Sequence, residues 1–379
     1  MSAPVTRRPA ALAAALLLAL PPLAQAAPGS TVSGSSNGLS WTASHALTGA
    51  GGTGTATTPG QAAYWPSFPR DAGIVGLSTQ ITATVGGTCT GTLLPDRQSI
   101  LTAGHCVSDG FGTPGPISTT VFFQPEGGLS TTASIFTSPA VTRIEATQWF
   151  VRAGYTGEVL DQNDIAVVRL ATPAPAWVPS YDFDTTGAGL LGSTFNVAGY
   201  GRLGSGASGD TLVSGRLRTG ENRYDFRWGD DAFGGTFTNG FFGTADISWS
   251  LVADFDSGQA SNDVGCRLAS EVGLPAGTFC DTGLGNLEAG VARGDSGGPN
   301  FVGGRVTAVN SYILSFGTGL GDVDGSLNSS FGEFSGFVPT YLHASFIQAS
   351  MVPEPGSWLM LTAGLAGMGF VARRRRAAR

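Results

Sequence analysis

Glycine punctuates this chain more densely than a set of long helices would tolerate. There are 58 glycines in 379 residues, and each one inside a helix or strand costs about 0.5–1 kcal/mol relative to alanine. Between them stand short runs rich in β-branched and aromatic residues. Ile74-Val75-Gly76-Leu77, Ile81 to Val85, Thr92-Leu93-Leu94, Ser99-Ile100-Leu101-Thr102, Val121 to Phe123, Ile165 to Leu170 and Phe195 to Ala198 are the clearest. Such runs predict short buried strands joined by tight turns. Gly86-Gly87 and Pro95-Asp96-Arg97 predict turns, and Gly303-Gly304 predicts a hairpin over 299–312. Tyr341, Leu342, Ser345, Phe346 and Ala349 fall at helical spacing, which predicts a short amphipathic helix within Val338 to Met351. The reading is an all-β domain over residues 64–351. A Gly-, Asp- and aromatic-rich insertion at 203–265 belongs to the same domain, with strands expected at Leu212 to Arg218, Arg223 to Arg227 and Trp249 to Phe255.

The two ends read as processing signals. Arg7-Arg8, an apolar run from Ala10 to Leu20 and Ala24-Gln25-Ala26 make residues 1–26 a secretory signal peptide. Residues 27–63 are low in complexity, and a flexible leader or pro-segment is expected there. At the other end, Gly356 to Ala372 is an uncharged, mostly apolar stretch of 17 residues followed by Arg373-Arg374-Arg375-Arg376. As a helix it would be about 26 Å long against a hydrocarbon core of about 30 Å. Its arginine cluster would stay cytoplasmic. Before it stands Val352-Pro353-Glu354-Pro355. A Pro-Glu-Pro motif, an apolar helix and a terminal Arg cluster, in that order, resemble the PEP-CTERM sorting signal of Gram-negative bacteria. That resemblance, over 352–379, implies recognition and removal of the tail by an exosortase-type enzyme, with transient contact with the inner membrane. The product would be an exported protein of the periplasm, cell surface or extracellular matrix.

Charge narrows the partners. The 20 basic residues are all Arg, and the net charge is −7. Losing both ends removes seven Arg and one Glu, which leaves the remaining domain at −13. An acidic chain of this kind offers no surface for nucleic acid. Cys89, Cys106, Cys266 and Cys280 fit two disulfides in an oxidising compartment. Local spacing favours Cys89–Cys106 and Cys266–Cys280, closing loops of 17 and 14 residues, each worth about 3 kcal/mol in the chain-entropy model. With three histidines in the chain, a metal site built on these cysteines lacks further ligands. Asp254-Phe-Asp256-Ser-Gly258 and Asp322-Val-Asp324-Gly325 carry clustered oxygens, yet neither completes a calcium loop with a terminal Glu, so solvated turns are expected. No metal or cofactor is assigned.

Three segments carry chemistry. Gly294-Asp295-Ser296-Gly297-Gly298-Pro299 sets a hydroxyl among backbone N–H groups that a substrate can approach closely. Thr102-Ala103-Gly104-His105-Cys106 supplies a histidine just after a strand. Asn163-Asp164-Ile165-Ala166 places a carboxylate at the mouth of a buried strand. A serine hydroxyl is a weak nucleophile until a neighbouring base takes its proton, and a histidine oriented by a carboxylate does this.

In this order and context the segments resemble the trypsin/chymotrypsin family of serine endopeptidases over about residues 64 to 350. Cys89-Thr-Gly-Thr-Leu-Leu, Gly199-Tyr-Gly201 and the terminal helix add to the likeness. It implies two six-stranded antiparallel β-barrels with the active site between them. His105 and Asp164 would lie on the first barrel and Ser296 on the second. The triad would be His105, Asp164 and Ser296, with Gly294 and Ser296 N–H groups as the oxyanion hole and a polypeptide as substrate. Asp295 would pair with a freed N-terminus. Ile74-Val75-Gly76 stands too near Cys89 to be that terminus and is expected in a strand. Gly290, six residues before Ser296, stands where Arg/Lys-cutting members carry Asp, so no strong preference for those residues is expected. Ser311 and Tyr312 would line the substrate strand, in preference to Ser315-Phe316-Gly317. The competing function is a catalytically silent surface or matrix-binding protein on the same fold.

Overall fold

The computed structural model describes residues 31–44, 47–49, 53–55, 57–108 and 115–351. The signal peptide and the sorting tail lie outside these residues, as do 109–114. Among the described residues no helix is long and apolar enough to cross a membrane.

The described part of 27–63 departs from a free leader. β1 (Val32–Ser36) and β2 (Leu39–Ser44) form a hairpin, turned by Asn37 and Gly38, both at positive φ. Alternation buries Leu39, Trp41 and Ala43 on one face of β2. β3 (Leu47–Gly49) follows. Farther on, the Arg218 guanidinium donates to the carbonyls of Thr53 (3.2 Å) and Pro59 (2.8 Å). Low complexity concealed these contacts, because they are made by backbone carbonyls and by isolated large side chains rather than by a periodic run.

Six strands then close a barrel: β4 (Ile74–Gln80), β5 (Gly86–Leu93), β6 (Ser99–Thr102), β7 (Ser118–Phe123), β8 (Thr142–Val151) and β9 (Ala166–Leu170). The order is β4-β5-β6-β9-β8-β7, with β7 returning to β4. Val75, Leu77, Leu93, Ile100, Val121, Phe123, Val168 and Leu170 fill it. Ile74 is a buried strand residue paired with Thr92, as expected. Ile81 to Val85 is instead a turn closed by Ile81 N–H to Val85 O (2.8 Å), and the Gly86-Gly87 pair opens β5.

The second half comprises β10 (Thr194–Gly199), β11 (Arg218–Arg223), β12 (Phe226–Arg227), β13 (Leu251–Asp254), α1 (Val264–Glu271), β14 (Ala289–Val291), β15 (Pro299–Val302), β16 (Arg305–Ser315), β17 (Phe334–Pro339) and α2 (Ala344–Ser350). Its strands run β11-β10-β15-β16-β17-β13-β12, with β2 added on β16. This sheet curls into a half-barrel rather than closing. Across its seam the Asn222 amide of β11 donates to the Asp254 carbonyl of β13 (2.7 Å) and to the Ala289 carbonyl of β14 (3.1 Å). The all-β, chymotrypsin-like architecture therefore holds, with one closed barrel and one open one.

The insertion is core. Trp228, Phe233, Phe237, Phe241 and Phe242 are buried with Trp41 of the hairpin and Phe334 of β17. Leu212 to Leu217 forms no strand; β11 begins at Arg218.

One buried pair conditions the loop that carries Asp164. The His343 Nε2–H donates to the Gln162 carbonyl (2.8 Å), and its Nδ1 accepts from Arg152 Nε (3.2 Å), which fixes a neutral ring. Burial pushes its pKa down to about 4. Beside it, burial pushes the Asp161 carboxyl up to about 6, against hydrogen bonds from Asn163 and Thr156. An unfolded histidine takes up a proton near pH 6.5 that His343 refuses until about 4. Its stabilisation is therefore complete above pH 6.5 and is lost as pH falls toward 4. Asp161 acts in the opposite sense and favours the folded state as pH falls below about 6. His343→Gln should remove the first effect only. Relative to the parent chain, the variant should gain about 2 kcal/mol of urea-unfolding stability on going from pH 7 to pH 5. Equal pH slopes in the two proteins would refute the role given to His343.

Candidate functional site

The site lies where the barrel meets the second sheet. The end of β6 leads through Ala103 into a single 3₁₀ turn, Gly104–Cys106, which turns His105 toward the junction. Asp164 just precedes β9 and is fully buried. Its Oδ1 accepts the backbone N–H of His105 (2.8 Å), and its Oδ2 lies 2.7 Å from His105 Nδ1. The Ser311 hydroxyl of β16 donates to the same Oδ2 (2.6 Å). With the proton on Nδ1, the far nitrogen, Nε2, keeps its lone pair.

Ser296 stands in the turn between β14 and β15. Sγ of Cys106 lies 3.7 Å from His105 Nε2 and 3.6 Å from the Ser296 carbonyl oxygen, so the disulfide sulfur spaces the two segments. Thr90 ties the turn to the barrel. Its N–H donates to Ser296 O (2.9 Å), its hydroxyl donates to Gly294 O (3.0 Å), and it accepts Tyr200 N–H (3.0 Å). Gly297 takes φ +79°, and a Cβ there would strike the Thr102 hydroxyl and the Thr90 carbonyl, so the turn can press against β5 only as glycine. Within Gly294 to Gly298, the N–H groups of Asp295, Gly297 and Gly298 donate to Ala292 O, Asn310 O and Asp295 O. Among the described residues the N–H groups of Gly294 and Ser296 have no acceptor.

Asp295 is satisfied without a chain terminus. Its buried carboxylate accepts Gly201 N–H (2.8 Å) and Ala292 N–H (3.0 Å). Burial pushes its pKa well up. The Gly199-Tyr200-Gly201 motif is thereby explained, since a Cβ at either glycine would collide with this carboxylate.

The remaining assigned residues fall less simply. Gly290 lies mid-strand in β14, paired with Thr48 of β3, and a Cβ on it would be 3.1 Å from the Phe255 ring. Ser311 points at Asp164. Tyr312 turns into the core, where its hydroxyl meets Trp228 Nε1 and Ser250 Oγ, both at 2.8 Å. Both expected disulfides are present, Cys89–Cys106 and Cys266–Cys280. Reading the sequence missed Thr90, whose only hint was its place beside Cys89, and it assigned Ser311 to the substrate strand without its bond to Asp164.

Comparison with known proteins agrees with the fold. The Trypsin family model matches residues 69–260, which include His105 and Asp164 and end before Ser296. The PEP-CTERM protein-sorting motif matches residues 352–376. It marks the chain for export in a Gram-negative bacterium and for recognition by an exosortase at that end. A search of curated proteins found no significant match. With a closed six-stranded barrel, a curled partner sheet and a family match over half its length, the chain belongs to the trypsin family.

Proposed function

We propose that the protein is an exported serine endopeptidase in which Ser296 is the nucleophile, His105 the general base and acid, and Asp164 the group that orients and stabilises the imidazole. The observation that carries this reading is the Asp164 carboxylate, which holds His105 at two points and takes a third donor from Ser311. A carboxylate gripping both the backbone and Nδ1 of one histidine fixes ring and tautomer together. That is the requirement for a base that must take a proton from serine and return it to a leaving amine. The unengaged N–H groups of Gly294 and Ser296 are the oxyanion donors, and two such groups in a water-poor turn are worth several kcal/mol in the transition state.

The edge of β16 supports a polypeptide substrate. β15 pairs with this edge up to Val309, the Ser296 turn bonds Asn310, and β2 pairs from Ile313 to Ser315. Between them lie Ser311 and Tyr312, both buried. An extended peptide that docks along this edge by backbone pairing, next to Ser296, takes the place that β2 holds.

Ser296→Ala should abolish labelling of the purified protein by a serine-directed fluorophosphonate, and His105→Ala should reduce it to background. Labelling that persists in both variants would sink the enzyme reading in favour of a silent binding protein. Asp164→Asn should lower kcat/KM by about 10³–10⁴-fold through loss of the productive tautomer. Because Gly290 carries no carboxylate, digestion of a peptide library should show no dominant cleavage after Arg or Lys; such dominance would refute this placement of the specificity pocket. Mass spectrometry of the exported protein should show loss of the residues after about Pro355, whereas a retained Arg379 would indicate a permanent anchor.

A further inference from the structure

The stretch expected to be a solvated turn is buried. Asp254 at the end of β13, Asp256 two residues on, and Asp263 at the start of α1 are 3%, 0% and 3% exposed. One carboxylate oxygen from each lies within 4.8 Å of the others. Oxygens that share a calcium ion at 2.3–2.6 Å can be at most about 5 Å apart, so this spacing suits a common ion.

A fourth acid comes from a different segment. Glu288, immediately before β14, is 0% exposed. Its Oε2 accepts the Ser257 N–H, while its Oε1 has no hydrogen-bond partner. Asp256 repeats the pattern. Oδ1 accepts Gly258 N–H (2.8 Å), and the buried Oδ2 has no partner. Glu288 Oε1 and Asp256 Oδ1 both crowd the space beside Gly283, so the two side chains meet there. Buried carboxylate oxygens without donors are costly, and like-charged neighbours raise the cost. The Arg223 guanidinium is engaged with Asp281 at a partly exposed position. The backbone N–H groups of Gly265 and Cys266 serve Asp254 and Asp263 (3.0 and 2.7 Å), which leaves Asp256 Oδ2 and Glu288 Oε1 without a donor.

We propose that Asp254, Asp256, Asp263 and Glu288 form a binding site for a calcium ion. An all-oxygen cage of carboxyl groups drawn from a loop, a helix start and a strand start suits a hard cation that tolerates irregular geometry, and suits magnesium less. Both nearby cysteines are bound in a disulfide and offer no thiolate. The ion would clamp the loop after β13 to the residue that opens β14, and β14 runs directly into the Ser296 turn. The site stands independently of the role assigned to Ser296.

The test uses the full exported chain, stripped with a chelator and titrated with calcium chloride or magnesium chloride. Calorimetric titration should show one calcium bound per chain, and thermal unfolding should shift upward by several degrees. Amide hydrogen exchange should slow over residues 254–266 and 283–291 and not over 322–325. Glu288→Gln and Asp256→Asn should each stabilise the ion-free chain and weaken calcium binding at least tenfold. No bound calcium, a response to magnesium alone, or protection confined to other segments would overturn the proposal. The exchange measurement on the parent chain decides the matter even if both variants fail to fold.

Discussion

The carboxylate of Asp164 is the point on which the two halves of the molecule are set. It is fully buried, so its charge must be solvated by protein donors instead of water. Those donors come from both sides of the junction: His105 N–H and Nδ1 from the barrel, and the Ser311 hydroxyl from β16 of the second sheet. Moving either half would strip a donor from a buried anion, and charged hydrogen bonds of this kind are the strong ones. Thr90 provides the second fixed point. It reaches from β5 to both ends of the Ser296 turn while the Cys89–Cys106 disulfide braces the strand beside it. The imidazole and the hydroxyl are thus positioned by separate contacts that cross the same boundary.

Buried ionisable groups elsewhere show how consistently this chain uses backbone in place of countercharge. Asp295 is answered by two peptide N–H groups. Glu333 accepts the N–H groups of Asn328, Ser329 and Ser330. Arg218 is the mirror case, its guanidinium donating to four carbonyls, those of Thr53, Pro59, Thr131 and Leu217. A chain with only 12% charged residues has few partners to offer, and glycine-rich turns present peptide groups that can approach from any side. Against that habit, Asp256 and Glu288 stand apart, because each keeps a buried oxygen that no donor answers.

What could be read in the sequence was whatever a local pattern encodes. The β-branched runs became β4, β6, β7 and β9, and the short loop spacings gave the disulfide partners. The Ser296 and His105 segments were visible because a glycine or cysteine next to each has a steric or covalent reason to be there, and the Asp164 segment because it opens a buried apolar strand. Long-range partnerships were not visible. Nothing local in Leu39 to Ser44 tells that its strand adds to the edge of β16. Nothing in Ser311 tells that its hydroxyl faces a carboxylate 147 residues earlier. The Asp254–Asp256 stretch was misread for the same reason. A sequence window shows two acids and a glycine, which is a solvated turn by composition, and burial arrives only when α1 and Glu288 close over it.

The aromatic insertion follows from the same physics as the glycines. A glycine-rich chain gives up more backbone entropy on folding than most, so it needs large apolar surfaces brought together at few points. Trp228 supplies such a point. Its ring packs edge-on against Phe226, Phe237 and Phe242 at 4.9–5.3 Å between centroids, and its N–H reaches the Tyr312 hydroxyl. Trp41 joins from the N-terminal hairpin, 5.0 Å from Phe242. Aromatic pairs of this geometry contribute about 0.5–1.5 kcal/mol each beyond the area they bury. The cluster therefore holds β2 against β16. The insertion is in this way part of the core that fastens the N-terminal hairpin to the second sheet.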